Sequence, residues 1–180
     1  MEPSTIATER LLLRPMQFDD IDLIHARGID QEFRRFLPLP DPYTRRDAEM
    51  FLAHVLLRDW ASHASFTIVL GGLGIGDLNI RVDTAHRMAE MGWGMAREHW
   101  GRGYMTEAAD AVMRWAIAVY GLDRVHASCD AENIGSYRVM EKLGMRREGF
   151  LRQHRLLRGE RRDDLVYGIL ANELAQREER

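Results

Sequence analysis

The sequence has little cysteine, little lysine and no long apolar run. Its 180 residues include one cysteine, which excludes a disulfide framework and a zinc site of four thiolates. No apolar segment approaches the ~18 residues of a membrane-spanning helix. The opening MEPSTIATER lacks the basic and then apolar segments of a signal peptide. We therefore expect a cytoplasmic protein with no membrane partner.

An excess of positive charge is also absent. The 25 lysines and arginines are outnumbered by 28 acidic residues, which gives a net charge of −3. This balance argues against a specific nucleic-acid partner, because such binding depends on a surplus of cations. Lys142 is the only lysine, and this preference for arginine is typical of GC-rich coding and indicates a bacterial source.

The charge is unevenly distributed along the chain. Residues 145–162 contain seven arginines and two acids, a local charge of +5. Residues 17–50 contain eight acids and five arginines, a local charge of −3. This distribution predicts two partners of opposite charge on one small domain.

Hydrophobic periodicity and turn residues predict one mixed α/β domain over residues 1–180. The predicted order is β-α-α-β-β-β-α-β-α-β-β, which excludes a doubly wound sheet and a barrel. The predicted strands cover 10–14, 65–70, 73–82, 89–96, 124–129, 145–157 and 162–170. The predicted helices begin near 19, 44, 104 and 133, and the last three end near 63, 120 and 143.

The most informative segment is REHWGRGYMTE, residues 97–107, which joins a predicted strand to a predicted helix. Gly101 and Gly103 would let the backbone turn its N–H groups towards a ligand, and the helix N-terminus behind them favours an anion. The segment lacks the Gly-Lys-Ser/Thr of a Walker loop and the third glycine of a dinucleotide fingerprint. The alternative is a helix-start turn whose glycines only permit tight packing.

A second segment, NIGSYRVMEKLGM at 133–145, places a polar stripe on a predicted helix. Its members share one face by the i, i+3, i+4 rule: Asn133, Ser136, Tyr137 and Met140. We expect Val139 to lie on the other face, towards the core. An amide, a hydroxyl and a phenol in line suit an elongated polar ligand, although Asn133 could instead cap the helix.

Together these segments resemble the GCN5-related N-acetyltransferase (GNAT) superfamily, and in particular its RimJ/RimL-type branch of ribosomal-protein N-terminal acetyltransferases. The main match is AEMGWGMAREHWGRGYMTEA (89–108) with NIGSYRVMEKLGM (133–145). TERLLLRPMQFDD (8–20) resembles the first strand and helix of that branch, and RGERRDDLVYGILANEL (158–174) resembles its last strand. The four motifs are collinear over nearly the whole chain.

The resemblance implies a mostly antiparallel sheet with splayed strands, flanked by helices, and acetyl-CoA as co-substrate without a metal. The coenzyme would bind between the strands at 89–96 and 124–129. Its pantetheine arm would contact Met95, Arg97 and Asn133, and Arg138 would lie near its nucleotide end. Its pyrophosphate would bind the backbone of five consecutive residues: Trp100, Gly101, Arg102, Gly103 and Tyr104.

The implied reaction is direct transfer of acetyl to a primary amine, which needs a neutral amine and a proton donor for the leaving thiolate. Many superfamily members have a tyrosine where this sequence has Met140. The RimJ/RimL branch instead places a serine where Ser136 stands, so Ser136 is the candidate acid, with Tyr137 and Tyr104 behind it. Glu90 matches an acidic position of the branch and is the candidate base, acting through water. The alternative for Glu90 is a structural carboxylate paired with an arginine.

Cys129 raises the alternative of an acyl-cysteine mechanism. It ends a predicted strand and has no evident activating partner in the sequence, so we expect a buried, inert thiol.

Three questions about partners stay open at this level. The resemblance allows a protein N-terminus or a small amine such as a polyamine, antibiotic or amino acid, and it places the choice of acceptor in residues 28–63. That segment contains an apolar and aromatic set: Phe33, Phe36, Leu37, Leu39 and Tyr43. The acids around this set would favour a cationic acceptor, and the alternative is a solvated loop. A non-catalytic acyl-CoA-binding protein is the alternative from another class. An exposed C-terminal hairpin could support a homodimer.

Overall fold

The computed structural model describes residues 1–176, and its eight strands form one sheet in the order β1-β2-β3-β4-β5-β6-β8-β7. The strands are β1 (Ile6–Ala7), β2 (Leu12–Pro15), β3 (His63–Leu70), β4 (Leu73–Asp83), β5 (Met88–Met95), β6 (Arg124–Asp130), β7 (Arg146–Leu157) and β8 (Glu160–Leu170). The helices are α1 (Ile21–Ile29), α2 (Gln31–Arg34), α3 (Arg45–Leu56), α4 (Tyr104–Tyr120), α5 (Ile134–Lys142) and α6 (Ala171–Gln176). The predicted mixed α/β sheet is confirmed.

One pair of neighbouring strands differs from all the others. β5 and β6 run parallel, whereas every other described pair is antiparallel. The parallel pair has only three register positions, from Met88 opposite Arg124 to Glu90 opposite His126. Beyond Glu90, β5 stays beside β4 as far as Met95, and β6 stays beside β8, so the two strands separate. The sheet is therefore open at its centre, as the family resemblance implies.

α4 provides the crossover that two parallel strands require, and glycine sets both of its ends. Gly103 precedes it with φ = 82° and Gly121 follows it with φ = 62°, conformations that favour glycine. The predicted bounds of the helix, Tyr104–Tyr120, are confirmed. Within this helix Met113 is fully buried, whereas Val119 is 45% exposed.

α3 is shorter than the sequence predicts. It ends at Leu56, and Asp59 then organises a turn: its carboxylate accepts from the amide of Ala61 at 2.8 Å, and its carbonyl accepts from the amide of His63 at 2.8 Å. His63 begins β3, so the prediction of a helix to residue 63 is wrong. The sequence also misses β1 and α2, which are too short to show a hydrophobic period.

Two cores hold the helices to the sheet. The larger one joins the sheet to α4 and α5, and a smaller one lies under α1 and α3. The smaller core consists of Met16, Ile24, Tyr43, Ala48 and Leu52. No helix within residues 1–176 is long and apolar enough to cross a membrane.

The buried carboxylate of Asp20 connects β2, β3 and the start of α1. It accepts hydrogen bonds from Arg14 at 2.7 and 2.9 Å, from the Thr67 hydroxyl at 2.6 Å and from the Gln17 amide at 2.8 Å. Burial alone would raise the pKa of Asp20, but these hydrogen bonds outweigh burial and hold the pKa below its usual value. The ionised carboxylate therefore fixes the position of α1, which lines the site described below.

We expect Asp20→Asn to lower the free energy of unfolding by about 3 kcal/mol at pH 7, because it breaks a buried ion pair. Since folding depresses the pKa of Asp20, this stability is present above the unfolded value near ~3.9 and is lost as pH falls through the lower, folded value. Urea unfolding between pH 7 and pH 3 should show the difference from wild type shrinking with acid. The exposed neighbour gives the control, because Asp19→Asn should change stability by less than ~0.5 kcal/mol; equal losses for the two variants would contradict this account.

Candidate active site

Two cavities meet where β5 and β6 separate. The first, of about 460 Å³, is lined chiefly by the loop after β5, the start of α4 and one face of α5. The second, of about 400 Å³, lies against β4, β5, β6, α1 and α3. Seven residues line both cavities: Phe33, Phe36, Leu37, Trp93, Gly94, Asn133 and Ser136. The two cavities therefore form one continuous cleft with two entrances.

The glycine loop has the geometry of an anion site. Gly101 and Gly103 have φ values of 73° and 82°, and both line the first cavity at the N-terminus of α4. The first N–H groups of a helix have no intrahelical acceptor and carry partial positive charge, so they favour an anion. Glu107 fixes this end of α4, because its carboxylate accepts from the amide of Arg10 at 2.9 Å and from the hydroxyl of Thr8 at 2.6 Å.

Most of the residues predicted to bind the cofactor line the first cavity. They are Met95, Trp100, Gly101, Gly103, Tyr104 and Asn133. Within this group, the indole N–H of Trp100 donates to the Met95 carbonyl at 2.7 Å, so that carbonyl already has a donor inside the protein. Asn133 combines both interpretations of its role, since its side chain accepts from the Ser136 amide as a helix cap and also lines the cleft.

Two predicted cofactor residues do not line either cavity. Arg97 and Arg102 are exposed, and the carbonyl of Arg102 accepts from the Arg10 guanidinium at 3.2 Å. The positive charge of the first cavity comes instead from side chains that sequence reasoning assigned loosely or missed: Arg35, Arg138 and Lys142. Arg138 and Lys142 are four residues apart on α5, a spacing that identifies a shared helix face.

The face of α5 that lines the cleft is rotated from the predicted one. Met140 is 1% exposed in the main core, and Tyr137 packs against that core instead of lining either cavity. Val139, expected in the core, lines the first cavity with Ser136. The predicted stripe is wrong for Met140 and Tyr137, because the apolar surface of these two side chains is buried against the core. Tyr137 therefore does not line the cleft and is not placed to act as the acid.

Ser136 lies beside Cys129 in the cleft. Burial raises the pKa of Cys129 to about 11, although a hydrogen bond with Ser136 opposes part of the effect. At neutral pH the side chain is therefore a thiol, and the thiolate that an acyl-cysteine mechanism requires is scarce. Cys129 is half-buried and lines the second cavity, so it is not the fully buried residue that the sequence predicts.

Glu90 lies on β5 outside both cavities. It forms an ion pair with Arg81, its partner on the neighbouring strand β4, and it lies opposite His126 on β6. By strand alternation it shares a face of the sheet with Gly92, which lines the second cavity about 7 Å further along. The ion pair matches the structural alternative for this carboxylate. The role as base stays a prediction.

The apolar and aromatic segment at residues 33–39, which belongs to the region expected to choose the acceptor, lines the cleft. Phe33 and Phe36 line both cavities, and the carbonyls of this segment and its neighbours are held from the C-terminal hairpin. Arg158 donates to the carbonyls of Arg34, Arg35 and Leu37 at 2.9, 3.2 and 3.1 Å. A turn between two strands thus holds a loop more than a hundred residues away, which no local sequence pattern could indicate.

The acids of the predicted acidic flank are mostly paired or hydrogen-bonded within the protein, and in the basic flank Arg146, Arg155 and Arg162 form ion pairs. In the acidic flank, Asp30 and Asp47 cap helices, and Asp41 pairs with Arg34 at 2.6 Å. Glu32 lines the first cavity, and none of the acids of residues 28–63 lines the second. The expectation that these acids receive a cationic amine is therefore wrong in its location. Within residues 1–176, no cluster of three or more acidic, histidine or cysteine side chains is arranged to hold a metal ion.

Comparisons with known proteins identify relatives of the whole chain. Residues 10–146 match a family model described as "Acetyltransferase (GNAT) domain". The uncharacterized N-acetyltransferase YnaD of Bacillus subtilis is 32% identical, over 93% of this chain and 98% of the relative. A GNAT-family acetyltransferase from Bacillus anthracis has a TM-score of 0.82 and 30% identity, over 93% and 98% of the two chains. Mycobacterium smegmatis RimJ, in complex with a CoA-disulfide, has a TM-score of 0.86 at 23% identity, over 97% and 92%, and so shows the fold.

The single cysteine allows a direct test of the raised pKa of its thiol. Because the pKa of Cys129 is about 11 in the folded protein, its rate of alkylation by iodoacetamide should keep rising with pH up to that value. In the urea-denatured chain the rate should level off above about pH 8.5. Mass spectrometry of quenched samples measures both rates. A folded-state rate that levels off near pH 8.5 would contradict the shielded thiol.

Proposed function

Because the chain belongs to the acetyltransferase (GNAT) domain family and is an N-acetyltransferase, we propose that it transfers acetyl from acetyl-CoA directly to a primary amine. One observation carries the proposal. Two cavities, one lined by the glycine loop at the N-terminus of α4 and the other by the aromatic segment 33–39 with α1 and α3, meet at residues that include Ser136 and Gly94, where β5 and β6 separate. Two substrates could thus enter from opposite sides and react at the junction without a covalent enzyme intermediate.

The first cavity is the proposed site for the coenzyme. Its glycine loop and the N-terminus of α4 suit a pyrophosphate, and Arg138 and Lys142 add positive charge on the facing helix. The RimJ protein of similar fold binds a coenzyme A derivative, which supports the same occupant here. We assign Met95, Trp100 and Asn133 to the pantetheine arm, which would run from this loop towards the junction.

The second cavity is the proposed site for the amine. A free α-amine has a pKa near ~8 and a lysine side chain one near ~10.4, so an α-amine needs less help to become neutral. This difference favours a protein N-terminus over a lysine side chain, and small amines with a low pKa are equally compatible. The protonated state of Cys129 at neutral pH supports direct attack by the amine, since formation of an acyl-cysteine would require the thiolate.

Two side chains are proposed to move protons. Ser136 lies at the junction, where its hydroxyl would donate a hydrogen bond to the thiolate as it leaves. It would act as the acid by relaying a proton: water returns a proton to the serine oxygen as the hydroxyl proton passes to the thiolate, so that a coenzyme thiol with a pKa near ~8.5 leaves and no serine alkoxide remains. Glu90 would accept the proton of the amine through water along the face of β5.

A thiol-release assay tests the proposal as a whole. Incubation with acetyl-CoA and a panel of N-terminal peptides and small amines should release free coenzyme thiol and yield an N-acetylated product of one added acetyl mass. Coenzyme binding without thiol release from any amine would instead support a non-catalytic acyl-CoA-binding protein.

We expect Gly103→Val to weaken coenzyme A binding by about tenfold or more. The residue has φ = 82°, and a β-branched side chain in that conformation distorts the backbone that presents the N–H groups of α4. Isothermal titration with coenzyme A measures the effect. Gly72→Val is the control, because Gly72 has φ = 86° in the β3–β4 turn, outside both cavities, and should leave the affinity unchanged.

We expect Ser136→Ala to lower kcat by about 10²-fold while the Kd for coenzyme A changes little, as for loss of a general acid. Steady-state kinetics and titration separate the two quantities. Cys129→Ala distinguishes the mechanisms, because an acyl-cysteine route predicts complete loss of activity in that variant. Equal loss in kcat and coenzyme affinity for Ser136→Ala would indicate a binding role instead.

We expect Glu90→Gln to lower kcat by about tenfold or more at pH 7, with the deficit shrinking as pH rises and the amine becomes neutral unaided. Arg81→Gln breaks the same ion pair and therefore gives the matched control. If Glu90 serves only that ion pair, both variants should lose the same activity. A base role predicts a much larger loss for Glu90→Gln.

A further inference from the structure

The lining of the second cavity limits the chemistry of the acceptor. Resting on the proposed function, we infer that the acceptor is a primary amine attached to an uncharged, apolar body. The cavity excludes polyamines, aminoglycosides and free amino acids as good acceptors. Three features of the cavity support this inference: its charged groups are paired, its remaining lining is largely apolar, and the groups near the junction that could hold an amine are neutral.

Every charged side chain that lines the second cavity has an ion-pair partner within the protein. Arg27 pairs with Asp77, and both are more than 90% buried. Arg155 pairs with Asp164 at 2.8 Å. Asp130 pairs with Arg162 at 2.9 Å and, at 3.5 Å, with Arg155.

This pairing has a different consequence for each class of acceptor. A polyamine or an aminoglycoside would bring several ammonium groups that need unpaired carboxylates, and burial of an unpaired charge is costly. A free amino acid would bring a carboxylate, yet the guanidinium groups of Arg27 and Arg155 already contact carboxylates. An amine without further charge avoids both costs.

The rest of the lining provides apolar surface of the right extent. It includes ten large or apolar side chains: Ile24, Phe33, Phe36, Leu37, Pro38, Leu39, Tyr43, Phe51, Met91 and Trp93. Burial of an aromatic or branched aliphatic group against such a surface stabilises a complex by about 1.5–3 kcal/mol. A cavity of about 400 Å³ holds one such group together with the amine.

The arginines also fix the aromatic side of the cavity. The guanidinium of Arg27 lies 5.1 Å from the ring centre of Phe33 and donates to the Gly94 carbonyl at 2.8 Å. Arg155 donates to the Phe36 carbonyl at 3.4 Å. Because the two guanidinium groups hold the cavity wall in place, either could pair with an acceptor only by giving up its contacts with that wall.

The groups available to the amine itself are neutral. Asn79, Ser128 and Ser136 line the second cavity and offer an amide and two hydroxyls. Neutral hydrogen-bonding groups stabilise the protonated form of an amine less than a carboxylate does. This arrangement suits a nucleophile that must be unprotonated when it attacks.

A series of amino-acid amides tests the inference, because each presents an α-amine and lacks a carboxylate. We expect kcat/KM for phenylalaninamide and leucinamide to exceed that for alaninamide and lysinamide by about tenfold or more. Free phenylalanine should be a poorer acceptor than phenylalaninamide, and spermidine and kanamycin poorer than 2-phenylethylamine. Rates are compared at equal concentrations of neutral amine, so that differences in amine pKa do not enter.

Variants of Phe51 test the cavity itself. Phe51 is 40% exposed on α3 and lines only the second cavity, so its replacement should leave folding and coenzyme A binding unchanged. Phe51→Ala should raise KM for phenylalaninamide by about fivefold and alter that for alaninamide by less than twofold. Phe51→Glu should shift preference towards lysinamide, because it adds an unpaired carboxylate. Phe18→Ala, an exposed phenylalanine outside both cavities, should behave as wild type.

The possible results distinguish failure of the inference about the acceptor from failure of the proposed acetyltransferase function. Preference for apolar amides, lost in Phe51→Ala, supports the inference. Preference for lysinamide, spermidine or kanamycin overturns it and leaves the acetyltransferase function standing. Coenzyme A binding measured by titration, with no amine acetylated, overturns the proposed function and the inference with it.

Discussion

The structure depends on the short pairing of β5 with β6. Three register positions hold two parallel strands together, and from there each strand follows a different neighbour. The cleft exists because the carboxyl halves of these strands are separate, and Gly94 and Ser136 line both of the cavities that meet there. α4 makes this arrangement possible, because it is the crossover between the two strands and its N-terminus lies at the opening.

The sequence predicts the elements that carry strong local signals. Glycines with positive φ mark both ends of α4, and the Gly71-Gly72 turn joins β3 to β4 as the alternating pattern predicts. The mixed sheet, the central opening and most of the first cavity follow from these signals and from the family resemblance. The short helix α2 and the early end of α3 do not, because each depends on a single aspartate whose hydrogen bonds are also compatible with other conformations.

For the second half of the site, the sequence identifies the apolar and aromatic residues but not the contacts that hold them in place. The aromatic segment at residues 33–39 has no period of its own, and Arg158 holds it from the opposite end of the chain. The same reason explains the error over charge. The acidic and basic segments sum to opposite signs along the sequence, but some of their groups pair with partners outside the segment, as Arg155 and Arg162 do with Asp164 and Asp130. A sum of charges over a segment is a property of the sequence alone. The folded structure shows which of those charged groups are neutralised by a partner.

The single lysine has a practical consequence. Lys142 lies on the wall of the first cavity, so reagents that acylate primary amines can modify this protein only there and at its N-terminus. Random amine coupling to a sensor surface or a resin would therefore attach many molecules through the cavity wall and obstruct it. Immobilisation through an added affinity tag would leave that wall clear. For the same reason, an amine-reactive dye at Lys142 would report directly on whether the cavity is filled.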